Sequence, residues 1–281
     1  MSDERTLLIA VGGRPIVEIC GTDRALASFA RAAPACQRYL PGWNVRPAAA
    51  PAGPLRTPTP FALRLIWSAA ERPQAAARGP YTELSGRTDQ LPPTLWPDLL
   101  LTLAAHALAP HGLFLAWIMA VQRPEGIILL VPSAGPGAPF LDSPWSRTDA
   151  AILGSGYLLV DDQGQLHLPP SDSSSLAAGR TTAFSIAGWC TVRSRQCPAQ
   201  LVPLTTWPHR AVLASHVLSA ALRRPAVVGA WEWRWEEVPA EASEQRLRAA
   251  ISTHARLPHW QFDGRTAEWF SCWEARRDEC R

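Results

Sequence analysis

The stretch VPSAGPGAPF, residues 131–140, follows the apolar run GIILL at 126–130. A strand running into a glycine-rich turn is how a phosphate-binding loop begins, and such a loop has the form G-x-x-x-x-G-K-[ST]. Its backbone N–H groups surround the phosphates, its lysine neutralises charge and its hydroxyl holds magnesium. In PSAGPGAP (132–139), Pro132 stands at the first glycine and Gly137 at the last, but Ala138 takes the lysine position and Pro139 the hydroxyl position. Pro136 and Pro139 also remove two N–H donors. No lysine elsewhere can substitute, because all 27 basic residues are arginine. The guanidinium is a planar fork and not a compact ammonium, so the clamp is not simply exchanged. A turn of this composition also suits an unrelated α/β protein.

The neighbouring sequence gives the loop a setting. LFLAWIMAV (113–121) and GIILLVP (126–132) are near-continuous apolar runs, as expected of strands buried on both faces. AILGSGYLLV and GQLHLPP follow, joined by the hairpin turn DDQG. Upstream, RTLLIAV (5–11) and PIVEIC (15–20) read as two strands, with Thr22 or Asp23 capping a helix over 24–33. Residues 46–60 form a Pro/Ala-rich connector, 61–69 another strand and 71–93 a loose stretch rich in breakers. WPDLLLTLAAHALAP starts a helix with Pro97 in its first turn and ends it at Pro110. Later come a polar loop (171–179), a helix (207–224), a single strand (226–238) and two last helices. The fold class expected is α/β, with a small N-terminal α+β lobe over 1–90 and an α/β domain over 91–281.

The order of these elements resembles the HPr kinase/phosphorylase family. Members of that family carry G-x-S-G-x-G-K-S after a strand, an apolar strand before it, and a strand bearing an acidic motif after it. Residues 113–170 look like a degenerate copy, with Ser133, Gly135 and Gly137 in the loop and Trp117 where a histidine often stands. HARLPHW (254–260) is similar to a segment before the family's last helix. The acidic motif aligns in two ways. Without gaps it falls on Gly154–Gly156, and both carboxylates are gone; with an insertion of about six residues it falls on Asp161 and Asp162. The resemblance implies an α/β phosphate-loop domain and, with the lysine lost, a pseudokinase that needs no cofactor. Related proteins often accompany the modification of ribosomally made peptides, so it implies a scaffold or recognition subunit for a peptide or partner enzyme, in a hetero-oligomer. Two alternatives stand beside it: a phosphotransferase using Asp161 or Asp162 as base with an arginine such as Arg147, and a structural subunit of a larger complex.

Other residue classes narrow the choice. A net charge of +3 over 281 residues is too mild to argue for nucleic acid. The longest apolar region, 99–121, is interrupted by His106, Pro110, His111 and Gly112, so no membrane span is expected, and the simplest location is cytoplasmic. Six cysteines form no CxxC pair, and His106/His111 and His254/His259 have i, i+5 spacing, so no metal site is expected. The 13 tryptophans stand out against three tyrosines. Trp231, Trp233 and Trp235 would share one face of a strand, as core or as a partner-binding surface. Trp269 and Trp273, spaced i, i+4 on the last helix, are read as core or as an anchor for another subunit.

Overall fold

The computed structural model describes residues 4–11, 14–39, 43–47, 61–69, 74–78, 81–133, 152–168, 182–194, 197–222, 227–228, 231–232, 240–265 and 268–279. In chain order the elements are β1 (Glu4–Val11), β2 (Arg14–Thr22), α1 (Asp23–Tyr39), β3 (Trp43–Pro47), β4 (Phe61–Trp67), β5 (Gln74–Arg78), β6 (Tyr81–Gly86), α2 (Leu95–Leu108), β7 (Leu113–Arg123) and β8 (Gly126–Pro132). There follow β9 (Ile152–Asp161), β10 (Gln165–Leu168), β11 (Thr182–Ser194), β12 (Gln200–Pro203), α3 (Trp207–Ser219), β13 (Val227–Val228), β14 (Trp231–Glu232), α4 (Ala240–Arg256), β15 (His259–Gly264) and α5 (Trp269–Glu279). Five α-helices and mixed sheets among the described residues make this a mixed α/β fold. The described residues fall into two compact units. One lies within Met1–His111 and Ala221–Ser243; the other lies within Gly112–Leu168, Thr182–Ala220 and Glu244–Arg281.

The first unit is built on a six-stranded sheet of order β3-β1-β2-β4-β6-β5. Val17, Ile19, Leu63, Leu65 and Leu84 alternate along their strands and are buried against the helices. The Thr22 hydroxyl accepts the Ala25 N–H at 3.3 Å and so caps α1, as its residue type suggests. Trp96 on α2 donates to Ser28 Oγ at 2.9 Å, and Ser28 in turn donates to the Leu91 carbonyl. This chain of bonds joins α2 to α1, so the helix expected to open the second domain packs within the first unit. The stretch expected to be loose, 71–93, contains β5 and β6. Of its breakers, Gly86 is the last residue of β6, at φ +116°. The single strand expected over 226–238 is also corrected. Val227 and Val228 pair antiparallel with Glu232 and Trp231, so the segment is a short two-stranded pairing. The first two residues of the expected connector, Arg46 and Pro47, end β3 and pair with Leu8 and Leu7 of β1; its residues 48–60 and the polar loop 171–179 lie outside the described residues.

The second unit has a sheet of order β10-β9-β7-β8-β11-β15-β12, in which β10 also pairs with β11. The strands from β10 to β11 therefore close on themselves, which leaves them no open edge. Antiparallel pairs join β7 to β8 and to β9; parallel pairs join β8 to β11 and β11 to β15. Burial is nearly continuous along β7 and β8, as their apolar runs require. β11, the longest strand, pairs with β10 over Thr182–Ser185 and with β8 from Ile186 onward. One face of the sheet packs on α5: Met119, Val121, Ile128, Leu130, Cys190, Val192 and Phe262 enclose Trp269, Phe270 and Trp273.

Candidate functional site

The residues expected to form a site separate in space. Ser133 follows β8 directly and donates its N–H to the Val192 carbonyl at 3.0 Å. Gly135 and Gly137, and Arg147 of the enzymatic alternative, lie outside the described residues. Across the sheet, Gly154, Ser155 and Gly156 on β9 pair with Ala120, Met119 and Ile118 on β7, and Met119 and Ala120 pair with Leu130 and Leu129 on β8. The GSG segment thus stands level with the end of the loop strand. Trp117 pairs with Tyr157 in an edge-to-face contact at 4.9 Å.

Asp161 and Asp162 are elsewhere. The turn that they begin is tied to β11 at its other end, where Ile186 N–H donates to the Gly164 carbonyl at 3.1 Å. Six steps along β11, from Ile186 to Val192, separate that bond from the one that holds Ser133, which is roughly 20 Å of extended chain. Hydrogen bonds account for both carboxylates. Asp161 Oδ1 accepts the backbone N–H of Gln163 and of Gln165, each at 2.9 Å, and Oδ2 accepts from His167 Nε2 at 2.7 Å. Asp162 Oδ2 pairs with Arg246 Nη1 on α4 at 3.0 Å, and Oδ1 accepts from Gln163 Nε2 at 3.1 Å. The Asp162 N–H donates to the Gly112 carbonyl at 2.9 Å. Gly112 has φ +71°, and a Cβ there would run into the Asp162 carboxylate, which is why glycine occupies this turn. The pair pins a hairpin, and three contacts to Asp161 and two to Asp162 already engage its carboxylates.

The turn leads to histidines that spacing alone did not connect. His254 Nε2 lies 2.8 Å from the Asp161 carbonyl; a carbonyl only accepts, so Nε2 carries the proton and Nδ1 is bare. His259 Nδ1 donates in the same way to the Leu257 carbonyl at 2.8 Å, leaving Nε2 bare. Both rings contact Trp189 of β11, His254 edge-on at 5.3 Å and His259 stacked at 6.3 Å. Burial pushes His254 below the ordinary histidine value, against the opposing pull of the Asp161 carbonyl and of the Asp161 and Asp162 carboxylates. Burial brings His259 down to about 4; the Leu257 carbonyl opposes this, while Arg210 and His254 reinforce it. Among the described residues, no group of three or more His, Cys, Asp or Glu side chains is placed to hold a metal ion.

The aromatic expectations also resolve. Trp269 is fully buried, with its Nε1–H on Cys190 Sγ at 3.2 Å, and Trp273 is buried beside it. Both are core, which corrects the reading of these two as a docking anchor. Trp231 lies on β14, whereas Trp233 and Trp235 lie outside the described residues. Trp207, which the sequence did not single out, is 55% exposed at the start of α3. Among the described residues, no helix is long and apolar enough to cross a membrane. No family model matches the chain, and no curated protein matches it.

Proposed function

We propose that the chain is a degenerate HPr-kinase-like protein that transfers no phosphoryl group and serves as a scaffold or recognition subunit for a peptide or a partner enzyme. The separation along β11 carries this reading. Phosphoryl transfer needs a base, a metal ion and a cationic clamp around one phosphate. Here the carboxylates of the DD turn are roughly 20 Å of strand from Ser133 and are already bonded. The segment level with the loop strand, Gly154–Gly156, has no carboxylate. Loss of the lysine, the metal-holding hydroxyl and two loop N–H groups removes several kcal/mol of stabilisation at about 1.4 kcal/mol per tenfold in rate. The phosphotransferase alternative needs Asp161 or Asp162 at the loop, against this spacing. Among the described residues of the second unit, Ile152, Val202, Trp207 and Val212 leave apolar surface exposed for a partner.

Nucleotide titration tests the proposal. Millimolar ATP or ADP with Mg²⁺ is expected to leave the melting temperature unchanged, and labelled ATP to leave no label on the protein or on added peptide. A shift of several degrees, or serine labelling that disappears in Asp161→Asn and Asp162→Asn, overturns it.

A further inference from the structure

Independently of the proposed function, the second unit contains a buried polar cluster with unspent hydrogen-bonding capacity. Trp189, His254 and His259 come from β11, α4 and β15 and are at most 2% exposed. Trp189 Nε1, His254 Nδ1 and His259 Nε2 have no hydrogen-bond partner among the described residues. The cluster is also a junction. His254 holds the β9–β10 turn through the Asp161 carbonyl, the Trp189 backbone N–H donates to the Pro258 carbonyl at 2.9 Å, and the Leu204 backbone N–H donates to the His259 carbonyl at 2.8 Å. A second proton on either ring would place an N–H donor and a full charge in an interior where no described residue accepts from that nitrogen.

We propose that His254 and His259 form a proton-operated latch: while both rings are neutral, α4 and β15 close on Trp189 and hold the β9–β10 turn, and proton uptake opens this seam. The charged neighbours decide how the latch responds. His254 faces Asp161 and Asp162 across the turn, and Arg246 already pairs with Asp162, which weakens their help to a charged ring. His259 faces Arg210 from α3 and His254 from α4, both of which oppose its protonation. Along β11 and β15 the next charged residues are Arg193 and Asp263, each four positions further on. The two rings also oppose each other's charge, so the second proton is the harder one to add.

The sign follows from linkage. In the unfolded chain each ring binds a proton at an ordinary value of about 6.5. In the folded protein His259 does so only at about 4, and His254 also below the ordinary value. The unfolded state therefore holds more protons, and the contribution to stability is present above about pH 6.5 and is lost as pH falls toward 4. At pH 5 His259 alone lowers the folding equilibrium about 30-fold relative to pH 8.

The test combines urea unfolding at pH 8 and pH 5 with hydrogen exchange, on the wild-type chain and on His259→Gln. The wild-type midpoint is expected to fall at pH 5, and the variant to lose most of that fall. At pH 5, exchange at the Asp162, Ile186 and Trp189 amides should rise before exchange elsewhere. An undiminished fall in the variant, or exchange rising uniformly in both units, refutes the latch. Should the variant not fold, proton NMR of assigned wild-type rings decides: His254 and His259 both titrating below the ordinary value support it, and either one titrating at about 6.5 overturns it.

Discussion

Replacing Trp269 by alanine separates a core residue from a docking anchor. Trp269 is fully buried among Met119, Cys190, Phe262 and Trp273. An aromatic side chain of this kind buries about 150–250 Å², which at about 25 cal/mol per Å² gives about 4–6 kcal/mol. Truncations of buried aromatics cost about 3–5 kcal/mol, because the surroundings relax only in part. The bond from its Nε1–H to Cys190 Sγ adds little, since a thiol sulfur is a weak acceptor. A loss of about 4 kcal/mol is therefore expected, a large share of an ordinary folding free energy of about 5–15 kcal/mol. In a melt followed by far-UV circular dichroism it should lower the midpoint by about 10–15 °C. Trp207→Ala is the control: Trp207 is 55% exposed, and its loss should cost less than about 1 kcal/mol. If Trp269→Ala melts within about 2 °C of the wild type, α5 is not the cover of this sheet and the core assignment fails.

Two further substitutions probe the DD turn. Gly112→Ala places a side chain at φ +71° against the Asp162 carboxylate, and urea unfolding should show a loss of about 2 kcal/mol or more. Asp161→Ala strips acceptors from two backbone N–H groups and from His167, and should cost about 2 kcal/mol by the same measurement; a variant as stable as the wild type would show that the carboxylate is not a turn clamp.

The parts of the fold that were legible in sequence are those where local chemistry and tertiary context agree. The β7 and β8 runs and the Gly156–Val160 half of β9 are apolar because both their faces are covered, and DDQG is polar because it turns. β11 was not read as a strand. In TAFSIAGWCTVRS, Gly188 and the polar residues break any simple alternation, since the strand changes partners part-way along. Gly188 is small for a local reason: a Cβ there would press on the Pro258 carbonyl and the Trp260 ring. The carboxylates of the turn were visible as a pair, but their partners were not. Arg246 is 84 residues from Asp162 and His254 is 93 from Asp161, and no local pattern encodes such contacts. His254 and His259 looked like a failed helical metal pair, because their i, i+5 spacing was measured on one element; the helix ends at Arg256 and the two rings meet from a helix and a strand.

β11 behaves as a splint joined in two lengths. Its first four residues follow β10 and the remainder follow β8, with the register shift between Ile186 and Gly188 as the joint. Slack of one residue is already built into that joint, so an extra residue there has somewhere to go. The same insertion between Gly188 and Trp189 would turn Trp189 from the histidine side of the sheet to the α5 side and turn Cys190 to the histidine side. By this geometry one joint can take up a change of strand length, and the aromatic centre of the second unit depends on it.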